Sequence, residues 1–119
     1  MTLELDHVQR LNLHALLGAQ RGDVATIRAL WAIQDKLALT PDEEKAIHLK
    51  RDFSGGQERV VWNPALSIPS KEFEFSAAEE SRIRSVVATW DSYGTSSDRI
   101  WLERILVALW PVQPESSAG

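Results

Sequence analysis

The chain has 119 residues, 44% hydrophobic and 25% charged, and its 13 Lys and Arg against 17 Asp and Glu give a formal charge of −4. That is the size and make-up of one globular domain, able to bury roughly two thirds of its unfolded surface without metal or disulfide staples. The lack of cysteine excludes a disulfide framework, a thiolate nucleophile and Cys-ligated zinc. The mildly acidic balance argues against a phosphate-binding surface and is too slight for mimicry of DNA.

Residues 1–7 carry neither a basic start nor an apolar run, so no secretory signal is expected. The longest apolar run is far short of the ~18 residues a membrane span needs, and a cytoplasmic protein is the expectation. Residues 2–5 suit a short strand or a frayed helix start. Asp6 is placed to cap a helix reaching about Gln20, with Leu13, Leu16 and Leu17 on one side and Leu11 at the edge. Arg21-Gly22-Asp23 matches an adhesion tripeptide of extracellular proteins, but Gly22 ending one helix and Asp23 capping the next explains every residue.

The spacing predicts a second helix over residues 24–37, with Val24, Ile27, Leu30, Trp31 and Leu37 inward and Arg28, Gln34, Asp35 and Lys36 outward. Thr40, Pro41 and Glu43 then form a capping box with proline at the first helical position. The helix is expected to be short, because Ile47-His48-Leu49-Lys50 begins to alternate. Residues 51–69 are the least regular stretch, where binding residues tend to concentrate. Ser54-Gly55-Gly56-Gln57 signals a turn, giving a hairpin between about residues 47–53 and 58–62 that Asn63-Pro64 stops.

Lys71-Glu72-Phe73-Glu74-Phe75 alternates like a half-buried strand, and Ser76 with Glu79 forms a second capping box. Ile83, Val86, Val87 and Trp90 stripe the following helix. After the polar turn 93–97, a helix over about residues 98–110 carries Ile100, Trp101, Ile105, Leu106 and Leu109. Residues 111–119 are rich in Pro, Ser and Gly and read as a disordered tail. The fold expected is therefore α+β, a mostly helical single domain over residues 1–110. It has a small antiparallel sheet, made of the hairpin plus one strand, and a C-terminal helical hairpin. Residues 37–47 echo residues 73–83 in residue type at six positions, as two helices sharing one kind of cap would.

Motifs with chemistry are few. Gly55-Gly56-Gln57 matches the tripeptide with which peptide-chain release factors present a glutamine to peptidyl-tRNA, but those proteins need a basic surface, and no Lys or Arg follows Arg104. A glycine-rich turn explains it. His7 and His14 stand seven apart, whereas shared metal ligands on a helix stand three or four apart; with His48 they are read as ordinary histidines, so no metal and no cofactor is expected. Glu43-Glu44 and Glu79-Glu80 sit in first turns, where the helix dipole accounts for them. No nucleophile elbow, phosphate loop or nucleotide fingerprint is present, and an enzyme is not expected.

Five tryptophans are many for this length. Trp31 and Trp90 fall on helix stripes, whereas Trp62 and Trp110 close a strand and a helix with no internal place assigned to them. Trp62 and Trp110, with Arg59 and Asn63 beside Trp62, are the expected partner-binding residues. The pattern carried by residues 11–17, residues 39–44, Trp62-Asn63 and residues 71–83 resembles small uncharacterised proteins encoded by bacteriophages and prophages. That resemblance contains no diagnostic motif. It implies a module that binds and modulates a host or phage protein, or assembles with itself, for instance as a homodimer through the tryptophan-bearing surface. Two further classes stand beside it: a nucleic-acid-binding regulator using residues 71–110, weakened by the mixed charge of Asp98, Arg99, Glu103 and Arg104, and a small hydrolase using Gln57 or a histidine pair.

Overall fold

The computed structural model describes residues 2–52 and 59–110. The Gly55-Gly56-Gln57 turn and the 111–119 tail lie outside them. In chain order the elements are β1 (Thr2–Leu5), α1 (His7–Gly18), α2 (Val24–Leu37), α3 (Pro41–Ala46), β2 (Lys50–Asp52), β3 (Arg59–Val61), β4 (Lys71–Glu74), α4 (Ala77–Thr89) and α5 (Arg99–Leu109). The class is the mostly helical α+β expected, but the strands are shared out differently. β2 and β3 pair only with each other, while β4 pairs antiparallel with β1, Leu3 opposite Phe73 and Leu5 opposite Lys71. The open reading of residues 2–5 resolves as a strand because that pairing buries Leu3 and Leu5 in the core beside Phe73 and Phe75.

α1 is the hub, packing against β1, α2, α4 and α5. Asp6 and Gln9 cap it reciprocally: the Asp6 side chain accepts from Gln9 N at 2.8 Å and Gln9 Oε1 accepts from Asp6 N at 2.9 Å. Gly18 lets α2 approach closely, since a Cβ there would lie 2.9 Å from Gln34 Nε2, which donates to the His14 carbonyl. α4 and α5 follow one another across a short loop, but their main common neighbour is α1. Asp98 gives α5 no side-chain cap; its carboxylate instead accepts from Trp101 Nε1 at 3.0 Å and Gly94 N at 2.6 Å, closing that loop.

One core joins the inner faces of β1 and β4 to Leu13 and Leu17 of α1, Ile33 and Leu37 of α2, Ile83 and Val87 of α4 and Ile105 and Leu109 of α5. Three expected inward residues point out instead: Val24, Trp31 and Ile100 are 68%, 57% and 74% exposed. Leu106 is exposed too, and Trp90 is only partly buried against the core. In α2 the apolar arc is wider than the neighbouring helices can cover. The half centred on Leu30, Ile33 and Leu37 is the half that meets them.

The two capping boxes form as expected, Thr40 with Glu43 and Ser76 with Glu79. Each receives a cation from an earlier helix. Arg10 of α1 donates through Nη2 to the Ala38 carbonyl and Glu43 Oε1, and Lys36 of α2 donates to the Glu74 carbonyl and Glu79 Oε1. Each cation also lies over a β4-side aromatic, Arg10 at 5.0 Å from the Phe73 ring centre and Lys36 at 5.5 Å from that of Phe75. The sequence echo thus marks one local device used twice. α3 ends in a Schellman turn, Leu49 N bonding Glu44 O and His48 N bonding Lys45 O, which holds His48 at φ 54° where glycine is usual.

Candidate functional site

The concavity nearest the expected binding residues is a cleft of about 440 Å³ between α1, the segment joining α2 to α3, and the β2–β3 hairpin. Its apolar walls include Leu11, Leu39, Leu49, Val60 and Trp62, and its polar groups include Asn12, His14, Glu44 and Arg51. α1 supplies one wall because Leu11, at the edge of the apolar stripe, is only partly covered by the core. The hairpin supplies the other through Val60, which stays partly exposed on β3.

Trp62 is held rather than loose. Its ring stands edge-on to His7, 6.2 Å between centres at 87°, and the backbone after it is pinned where Asn63 N donates to the Ile47 carbonyl at 2.9 Å. His7 is buried at the start of α1, and its Nδ1 has no hydrogen-bond partner among the described residues. The chain end of β3 is therefore docked on the first turn of α1 through an aromatic contact. Asn63 turns the chain: its Oδ1 accepts from Ala65 N at 2.9 Å, and it does not line the cleft.

Beneath the cleft lies a buried cation, Arg10. Arg10 is 1% exposed. Its Nε donates to the Leu37 carbonyl at 3.1 Å, and its Nη1 and Nη2 grip both Glu43 oxygens at 2.7 and 3.0 Å. The hydrogen bonds from Arg10, with the Thr40 backbone N–H and the nearby Lys71 charge adding to them, pull the Glu43 carboxyl down to about 2 against the cost of its burial. The signal was there, since Arg10 stands three and seven residues before Leu13 and Leu17, on the apolar stripe of α1. Arg10 fixes the floor; it has little left to offer a ligand.

At the mouth, Arg51 Nη2 meets Glu44 Oε2 at 2.9 Å. A second, shallower concavity continues outward over Glu44 and Leu49 to Lys45, His48 and Lys50. Arg51 thus borders the cleft and Lys45 and Lys50 the adjoining concavity, with Glu44 in both linings and paired to Arg51, on a chain whose overall charge is −4. Of the expected binding residues, Trp62 lines this cleft, Arg59 lies on β3 with its side chain outside the described part, and Trp110 is 42% exposed at the end of α5, away from the cleft lining. Among the described residues no group of three or more His, Asp or Glu is placed to hold a metal, and no helix is long and apolar enough to cross a membrane. Comparison with protein-family models, curated proteins and solved structures finds no match to this chain.

Proposed function

We propose that the chain is a small protein-binding module whose Trp62 cleft takes a large apolar side chain from an acidic segment of a partner protein, in keeping with a regulator of a host or phage protein. The observation that carries this reading is an apolar pocket, walled by Leu11, Leu49, Val60 and Trp62, that Arg51 borders and that adjoins a concavity lined by Lys45 and Lys50, so that three cations stand there with Glu44. A half-buried tryptophan held by its neighbours is the kind of preorganised anchor on which binding energy concentrates. The basic rim on an acidic chain would steer an acidic segment to that place and turn away cationic ones. The mixed charge of α5, with Glu103 standing between Arg99 and Arg104, weighs against a duplex lying along it.

The test is affinity capture from bacterial lysate with mass-spectrometric identification, followed by titration of the purified partner against wild type, V60E and R51E. Val60 is partly exposed and Arg51 lies at the surface, so both variants are expected to fold. Binding should weaken at least about tenfold in each and fall with added salt. A partner that binds both variants as it binds wild type removes the cleft from the account.

A further inference from the structure

We propose that the outer face of α5 pairs with the same face of a second copy of this chain, as two antiparallel helices about a two-fold axis passing between Glu103 and Arg104. α5 buries Trp101, Ile105 and Leu109, yet Ile100 and Val107 on its other side are 74% and 61% exposed. A helix apolar on both sides has a surface still unpartnered. Ile100, Glu103, Arg104 and Val107 follow one another at spacings of three, one and three, which lines them up as a single outer strip of the kind that forms a two-helix seam.

The order of those four residues selects the occupant. Apolar, acidic, basic, apolar is its own complement when reversed. Antiparallel placement sets Ile100 against Val107 and Glu103 against Arg104, and two-fold symmetry repeats each contact. Parallel placement would set Glu103 against Glu103 and Arg104 against Arg104, which like-charge repulsion disfavours. Within one chain these two side chains are 61% and 63% exposed and, among the described residues, are engaged in ion pairs near the surface, Arg99 Nε to Glu103 at 2.9 Å and Arg104 to the partly exposed Asp6 at 3.0 Å. Such pairs are weak in water, so exchanging them across the axis costs little. Trp110, one turn beyond Leu106 and close to Val107, then extends the seam toward the start of the partner helix. An 11-residue helix is about 16 Å long, a small contact, and the dimer is expected to be weak, micromolar rather than nanomolar.

Sedimentation equilibrium of the full chain, from about 1 μM to about 1 mM, tests this. Wild type should show a monomer–dimer equilibrium, E103R and R104E should each weaken it at least about tenfold, and E103R/R104E should return it to within about threefold of wild type. R104E also sets a negative charge beside Asp6, but the single and double variants share that change, so it cannot produce the rescue. The chain has no cysteine, so mild oxidation of I100C mixed with V107C should give the mixed disulfide, while either alone should not cross-link. A monomer at every concentration, a double variant no tighter than the singles, or I100C cross-linking to itself as readily as to V107C would overturn the proposal. V60E lies at the cleft and leaves this seam unchanged, so the two readings fail separately.

Discussion

Arg10 and Lys36 make the same kinds of contact, Arg10 with two carbonyls and both carboxylate oxygens and Lys36 with one of each, and burial gives them different weight. The Lys36 side chain is 42% exposed, so its bond to Glu79, which lowers that carboxyl, is shared with water. Removing Lys36 should cost no more than about 1 kcal/mol. Arg10 is enclosed, and R10A would leave Glu43 and the Leu37 and Ala38 carbonyls without their donor, at a cost of about 3–5 kcal/mol. Urea unfolding of R10A and K36A side by side measures the contrast, and equal losses would mean that burial does not set the weight. pH provides a second reading. Because the folded Glu43 carboxyl sits at about 2 against an ordinary 4.5, its ionised form stabilises the fold above pH 4.5, and that contribution is lost as pH falls from 4.5 toward 2. After screening at a carboxylate still 20% exposed, the loss is about 2 kcal/mol. E43Q, less stable than wild type at pH 7, should lack that part of the acid limb when both are unfolded in urea between pH 7 and pH 2. Arg10 itself was hard to read because a cation on an apolar stripe has no local signature of the acid that will meet it 33 residues later.

At the scale of elements, what the sequence made legible was written in neighbouring residues. The boxes Thr40 with Glu43 and Ser76 with Glu79, the cap at Asp23 and the brevity of α3 all depend on contacts within four residues, and all formed as read. The facing of α2 was legible only in part: Ile27, Leu30 and Leu37 lie in or against the core as expected, whereas Val24 and Trp31 obey the helical period as well as Leu30 and Ile33 do. Only the placement of α1 and α4 decides between them. W31Q should therefore change stability by less than about 0.5 kcal/mol, whereas I33A, at a fully buried position, should cost about 2–5 kcal/mol. Thermal or chemical unfolding of the pair checks this, and a larger loss for W31Q would reverse the assigned face. Trp62, at a strand end before Asn63-Pro64, has no internal place that spacing predicts, and it lines the cleft, but its contact with His7 has no signal in the spacing.

Across the whole molecule the decisive event is the pairing of β1 with β4, which joins residues 2–5 to residues 71–74 and closes the core around α1. A contact so distant in sequence has no local pattern, and the expected sheet of hairpin plus β4 gives way to the pairing of β4 with β1. L5A should cost about 2–5 kcal/mol although Leu5 lies near the chain's start, where truncation is often harmless. Chemical unfolding checks it, and a loss below about 1 kcal/mol would mean the strand is dispensable. The same closure leaves the β2–β3 hairpin outside the main core, touching α1 through Trp62 and His7, and the cleft exists because of that offset. Whether the cleft binds acidic, apolar protein segments is tested most directly by displaying random peptides against wild type with V60E as the counter-selection. The Trp62 indole signal would then be followed by NMR as a recovered peptide is added. The expected result is a set of peptides with a large apolar residue flanked by Asp or Glu, shifting the Trp62 indole and failing to bind V60E. Peptides of no shared character, or ones that bind V60E equally and leave Trp62 unmoved, would contradict it.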